Sequence, residues 1–127
     1  MHIRVKRTGL IEVPIPKYQT SGSAGFDLCA AISESITLRS ADRQLIPTGL
    51  IFEIPEGYEG QIRPRSGLAL KYGLSIVNTP GTLDSDYRGE LCVILINHGR
   101  DPYTIHPLHR IAQMVITKVE QASFELV

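Results

Sequence analysis

Two carboxylates besides a glutamate, a phenol, a guanidinium and two glycines stand within ten residues: Gly81-Thr82-Leu83-Asp84-Ser85-Asp86-Tyr87-Arg88-Gly89-Glu90. A simple turn needs few of these. A carboxylate in such a run can orient a water and take its proton, the work of a general base, and Asp84 is the first candidate. The apolar run from Leu91 to Ile96 follows at once and reads as a buried strand. The polar cluster therefore sits at a strand edge, where reactive groups are commonly held. Asn78 precedes the turn signal Thr79-Pro80-Gly81. Either it stabilises that turn, or it lies across a hairpin from Asp84. In the second case an amide and a carboxylate converge on one water and make a positioned nucleophile.

Three more segments carry chemistry-bearing residues. Pro64-Arg65-Ser66-Gly67-Leu68-Ala69 opens a helical turn, for which Ser66 is a natural N-cap. The cap is the simpler account. The same geometry also suits an anion, because free N–H groups at a helix start, a hydroxyl and an adjacent Arg form a phosphate cradle. In Ser23-Ala24-Gly25-Phe26-Asp27-Leu28-Cys29-Ala30, strand alternation puts Asp27 on the opposite face from Phe26 and Leu28. Facing solvent it needs no partner; facing inward it needs a cation, hydrogen bonds or a metal. In His109-Arg110-Ile111-Ala112-Gln113-Met114-Val115, the odd spacing of Arg110 and Gln113 sends them to opposite faces of a regular strand. His2, His98, His106 and His109 show no metal-ligand spacing and read as solvated or hydrogen-bonded. There is no Cys-x-x-Cys, no His-Glu-x-x-His, and no phosphate loop ending in Lys-Ser/Thr.

The elements that must position these residues are short. Eleven Gly and eight Pro are spread evenly through 127 residues, leaving no room for a long helix. Between them lie candidate strands His2–Lys6, Phe26–Ala30, Ser35–Leu38, Arg43–Pro47, Leu50–Ile54, Gln61–Arg63, Ser75–Asn78, Leu91–Asn97, Tyr103–Ile105, Ile111–Lys118 and Ser123–Leu126. Many short strands with regular turn signals predict an all-β barrel or jelly roll. Ser66–Gly73 is the one helical candidate, with Gly73 as its stop. The length allows a single domain, 1–127, and no linker or repeat divides it.

Composition narrows the function. The net charge is zero and the pI about 6.9, so nothing supports a broad grip on nucleic acid. Trp is absent and aromatics are 6%, which argues against a base-stacking platform. No apolar run approaches the ~20 residues of a membrane span, and Met1–Arg7 lacks the apolar stretch of a signal peptide. Cys29 and Cys92 are isolated and read as buried thiols, which suits a cytoplasmic protein.

Together and in order, these segments resemble the trimeric dUTPases, the deoxyuridine triphosphate nucleotidohydrolases. Four motifs of that family stand here: Ala24-Gly25-Phe26-Asp27-Leu28; Pro64-Arg65-Ser66-Gly67-Leu68-Ala69; Asn78 through Gly81-Thr82-Leu83-Asp84-Ser85-Asp86-Tyr87-Arg88-Gly89-Glu90; and Arg110-Ile111-Ala112-Gln113-Met114. Pro47-Thr48-Gly49-Leu50 and Ile54-Pro55-Glu56-Gly57-Tyr58 extend the likeness along the chain. The resemblance implies a jelly-roll-like distorted β-barrel with at most one short helix. It implies a homotrimer with its active sites at subunit interfaces. The reaction implied is hydrolysis of dUTP to dUMP and pyrophosphate, which limits uracil in DNA and supplies dUMP for dTMP synthesis.

The implied roles are specific. Asp84 activates the water, and Asn78 shares the nucleotide pocket. Arg65, Ser66 and the N–H groups from Gly67 onward hold phosphates, with Arg110 in support and Gln113 near the α-phosphate. Asp27 holds Mg2+ through water. Tyr87 lies under the deoxyribose and excludes a 2′-hydroxyl. Backbone groups around Gly81, Thr82 and Leu83 read uracil.

Two departures accompany the resemblance. A fifth motif, a Gly-rich C-terminal arm bearing Arg and Phe, does not stand in these residues, and the expectation is slow turnover in its absence. Leu108-His109 precede Arg110 where the family has a Gly and a small or acidic residue. Two rivals share the resemblance. A dCTP deaminase needs a Glu where Ile94 stands, and isoleucine moves no protons. A non-catalytic trimeric barrel that binds a nucleotide or a partner has no use for Asp84.

Overall fold

The computed structural model describes all 127 residues. Eleven strands and one helix follow in the order β1 (Arg4–Arg7), β2 (Gly25–Cys29), β3 (Ile36–Leu38), β4 (Arg43–Pro47), β5 (Leu50–Glu53), β6 (Tyr58–Arg63), α1 (Ser66–Tyr72), β7 (Leu74–Ile76), β8 (Gly81–Leu83), β9 (Cys92–Asn97), β10 (Tyr103–Ile105) and β11 (Arg110–Lys118). They form four antiparallel sheets, β1-β5, β10-β3, β2-β11-β6-β8 and β4-β9-β7. The arrangement is jelly-roll-like, and its sheets do not close into a continuous barrel. No helix is long and apolar enough to cross a membrane.

Alternation builds one core. In β2 the buried positions are Phe26 and Leu28, with Asp27 turned the other way. In β9 Val93, Leu95 and Asn97 point inward. A single cluster of 20 buried residues results, with Leu28, Ile46, Leu95, Ile105 and Met114 at its centre. Asn97 is the exception by type and is fully buried. Its amide donates to the carbonyls of Leu38 and Asp101 at 2.9 Å and accepts from Gly99 N–H at 2.8 Å, which removes the desolvation cost of burying it.

Several expectations are corrected. The strand after the polar cluster alternates, with Cys92, Ile94 and Ile96 only half-buried, because its outer face is not covered within the chain. Cys29 and Cys92 are free thiols, but half-buried ones. β8 lies inside what reads as a turn cluster; its three residues alternate buried, exposed, buried against β6. Ser123–Leu126 forms no strand, and its residues are exposed. Ser66 does not cap the helix: it is the first helical residue, and Arg65 takes the cap position without a side-chain bond. Gly73 does end α1 as expected, at φ +71°, with its N–H donating to the carbonyls of Ala69 and Leu68.

The most consequential correction is in β11. Arg110 pairs with Cys29, but Ala112 pairs with Leu28, so one extra residue is accommodated between them. Such a bulge resets the alternation. Arg110 and Gln113 do not diverge to opposite faces as a regular strand would require; both come to Asp27.

Candidate active site

The four-stranded sheet carries the candidate residues at two corners of its outer face. At the first corner Asp27 on β2 lies directly opposite Gln113 on β11. Asp27 Oδ1 accepts from Arg65 Nε at 2.9 Å, and Arg110 Nη1 stands 3.7 Å from Oδ2. Asp27 is largely shielded from solvent, so its charge needs these partners. Gln113 Nε2 donates to Pro64 O at 2.9 Å, and its Oε1 lies across Gly25, where an added Cβ would meet it at 2.5 Å. Glycine at position 25 is therefore a requirement of the Gln113 rotamer. Asp27, Arg65, Ser66, Gly67 and Gln113 line a recess of about 210 Å³.

Two cations meet one anion there, so the recess is net positive. With no side chain capping α1, the first N–H groups of the turn are left open beside it. The arrangement is suited to anionic oxygen. Beside it, burial pushes the Cys29 thiol up despite the opposing pull of Arg110, so it remains a neutral thiol.

At the second corner Asp84 follows the end of β8. It lines a broad open trough of about 1060 Å³ together with Thr82, Asp86, Arg88, Glu53 and Arg4. Thr82 is exposed and Leu83 buried, so any ligand contact from Leu83 is through its backbone. β8 is the edge of its sheet, leaving its far-side N–H and C=O groups unpaired. The Asn78 amide lies against Gly81, 3.3 Å from where a Cβ would stand. β7 and β8 belong to different sheets, so Asn78 and Asp84 are not paired across a hairpin. They stand at opposite ends of β8.

Tyr87 folds back over Gly89, whose added Cβ would fall 2.7 Å from the ring Cζ. Its hydroxyl donates to Glu90 O at 3.2 Å, and the residue stays 47% exposed, leaving ring surface open. Glu53 at the trough wall is held below the ordinary carboxylate value by its hydrogen bond from Arg4.

The two corners do not meet within one chain. Leu83 pairs with Gly60, which pairs with Ile116; Asp84 is one residue further out, four positions along from Gln113. That is about 13 Å along the strands, and crossing from β2 to β8 adds about 14 Å, for a diagonal of about 20 Å.

No group of three or more His, Cys, Asp or Glu side chains is arranged to hold a metal. Asp27 is the one carboxylate in the recess, and both its oxygens face guanidinium groups. An all-protein metal cage does not fit this donor set. A hydrated magnesium carried on phosphate oxygens and touching Asp27 through water does fit it.

Sequence reasoning left Arg88 without a role. Its Nη1 donates to the carbonyls of Ser85 at 2.6 Å and Tyr87 at 2.9 Å. The signal available was its being the one cation within the Gly81–Glu90 run.

Comparison with known proteins places the chain in a family. The dUTPase family model matches residues 11–127. A deoxyuridine 5'-triphosphate nucleotidohydrolase of Fusobacterium nucleatum subsp. nucleatum is 61% identical over 112 residues, covering 88% of this chain and 77% of that one. One from Anaeromyxobacter sp. is 52% identical over 127 residues, covering 98% and 85%. Among solved structures, a variant of the Staphylococcus bacteriophage 80alpha dUTPase with dUpNHpp superimposes with TM-score 0.89 at 24% identity, over 99% of this chain and 96% of that one. A variant of the dUTPase of phage phi11 of S. aureus, described with a structural Mg(II) ion, gives 0.89 at 23% identity, over 100% and 97%. On the family match and the close relatives, the chain belongs to the dUTPase family.

Proposed function

We propose that Asp84 of one copy and the Asp27–Arg65–Ser66–Gln113 recess of a neighbouring copy together carry out the chain's reaction, the hydrolysis of dUTP to dUMP and pyrophosphate. The observation that carries this division is the separation of about 20 Å between the two corners. A base must lie within hydrogen-bond reach of the water it activates, directly or through one more water. Within one chain Asp84 is too far from phosphates bound in the recess; a second copy that brings its own Asp84 to the recess closes the gap.

The triphosphate docks in the recess. Arg65 and the open N–H groups at the start of α1 bind its oxygens, and Arg110 adds charge beside Asp27. Ser66 donates its hydroxyl to phosphate oxygen. Gln113, fixed by Gly25 and the Pro64 carbonyl, directs its remaining amide N–H toward the α-phosphate. Asp84 accepts a proton from a water whose oxygen attacks the α-phosphorus. The bond from that phosphorus to the bridging oxygen breaks, and pyrophosphate leaves with the electron pair. Bound Mg2+ supplies charge neutralisation on the phosphates, and Asp27 meets its water shell. Tyr87 packs on the deoxyribose, and the unpaired backbone edge of β8 around Gly81, Thr82 and Leu83 reads the uracil, with Asn78 alongside.

The homotrimer is supported by an uncovered apolar face on a different sheet, β4-β9-β7. Leu45 is 59% and Val77 46% exposed, and half-buried Ile94 lies between their strands. Apolar surface of this kind marks an interface. Pyrophosphate release from dUTP, dCTP, dTTP and UTP tests the whole reading. dUTP is the preferred substrate, and Asp84→Asn lowers kcat by about 10³-fold while leaving dUTP affinity within a few-fold. Deamination of dCTP, or turnover by Asp84→Asn near the parent rate, contradicts it.

A further inference from the structure

We infer that Arg88 is a positioning residue for the reaction: it fixes the turn that aims Asp84 and the Tyr87 ring, and does not itself bind the nucleotide. The inference rests on reading Asp84 as the base. The loop from Asp84 to Glu90 runs between β8 and β9, which belong to different sheets, and only its far end is anchored, where Leu91 N–H donates to Leu50 O at 2.9 Å and Leu91 O accepts from the Thr48 hydroxyl at 2.6 Å. Between Asp84 and Glu90 the bonds not made by Arg88 are long. Tyr87 N–H reaches Asp84 O at 3.2 Å, the Tyr87 hydroxyl reaches Glu90 O at 3.2 Å, and Glu90 Oε2 accepts from Gly49 N–H at 3.4 Å.

Arg88 makes the short contacts. One nitrogen, Nη1, donates to Ser85 O at 2.6 Å and to Tyr87 O at 2.9 Å. These carbonyls bracket the turn immediately after Asp84. The second nitrogen, Nη2, stands 3.9 Å from Glu53 Oε1, and Glu53 is itself bonded to Arg4 at 2.6 Å. The guanidinium thus ties the loop to itself and leans on the β1-β5 pair. Charge-assisted donation of this kind is stronger than neutral donation. The side chain is half-exposed, so losing it strands no buried group. What is lost is aim, and a misplacement of about 1 Å can cost about 10²-fold in rate.

The test compares Arg88→Met, Arg88→Lys, Glu53→Gln and Asp84→Asn with the parent in steady-state dUTP hydrolysis. Arg88→Met keeps the unbranched apolar stem and removes every donor. It is expected to lower kcat by about 10- to 100-fold with a much smaller change in KM, while the melting temperature stays within about 3 °C. Lysine can donate to both carbonyls, so Arg88→Lys restores most of kcat; a bidentate phosphate contact would not be rescued in this way. Glu53→Gln leaves both carbonyl bonds and stays within about 3-fold of the parent.

Parental kcat in Arg88→Met overturns the inference. So does an Arg88→Lys loss equal to that of Arg88→Met, which assigns Arg88 to the phosphates. A Glu53→Gln loss as large as that of Arg88→Met overturns it too, by moving the role to the ion pair. An inactive Asp84→Asn beside an unimpaired Arg88→Met defeats this inference alone; an active Asp84→Asn defeats the reading beneath it.

Discussion

The two corners of the four-stranded sheet are built in opposite ways. The Asp27 recess is assembled from distant segments: β2, the turn into α1, and β11 meet through cross-strand register and ion pairs. The Asp84 corner comes from one contiguous loop, whose contacts around Tyr87 and Arg88 span one to three residues and which is tied to distant chain only at Glu53, Gly49 and, at its end, Leu50 and Thr48. The first corner is a charged cradle and can hold an anion with little motion. The second has few outside ties and can be adjusted against whatever docks on it. The proposed shared site would profit from that difference, with one copy supplying the fixed phosphate pocket and the other the aimed base and the sugar platform.

Breaking the cradle has the larger effect. Arg65→Ala removes a phosphate donor and leaves Asp27 with only the longer contact from Arg110; kcat/KM for dUTP is expected to fall about 10²-fold. Steady-state kinetics check this, and a loss under about 3-fold removes Arg65 from phosphate binding. Breaking the platform changes selectivity more than rate. Tyr87→Ala opens the space that excludes a 2′-hydroxyl, and the UTP-to-dUTP ratio of kcat/KM is expected to rise about 10-fold. An unchanged ratio makes Tyr87 a purely structural member of its loop.

The smallest effect lies at the approach to the cradle. His109 Nδ1 accepts from His106 N–H at 3.2 Å, in the turn where Leu108 N–H donates to Ala30 O at 2.8 Å. Burial, and then His106, hold His109 below its ordinary value of 6.5. The unfolded chain therefore takes up the proton first as pH falls through 6.5. The stabilising contribution is complete above that pH and is lost progressively down to the folded value. The melting temperature should decline as pH falls below about 6.5, and His109→Gln should flatten part of that decline. An identical slope in both proteins would remove His109 as its source.

The unequal construction also decides what can be read from the residues alone. The Asp84 loop is legible because its chemistry is contiguous, and the turn residues and Gly73 announce their conformations locally. Fold class is legible from short alternating segments between evenly spaced glycines and prolines. The bulge between Arg110 and Ala112 is not, since nothing in Arg110-Ile111-Ala112-Gln113 distinguishes it from a regular strand; only pairing with β2 reveals it. β8 hides for a similar reason: three residues in a polar run become a strand only when β6 lies beside them. The Ser66 cap fails because a favourable residue type does not determine which residue turns first.

The central claim is that a working site takes its cradle from one copy and its base from another. Complementation tests it most directly. Asp84→Asn and Arg65→Ala proteins, each nearly inactive alone, are unfolded, mixed in equal amounts and refolded together. Every mixed trimer then contains one site with an intact cradle facing an intact base. Random assembly makes that about a quarter of all sites, so the mixture should recover about a quarter of the parental dUTP turnover. A mixture that reassembles into mixed trimers, yet is no more active than its two components measured apart, contradicts the account.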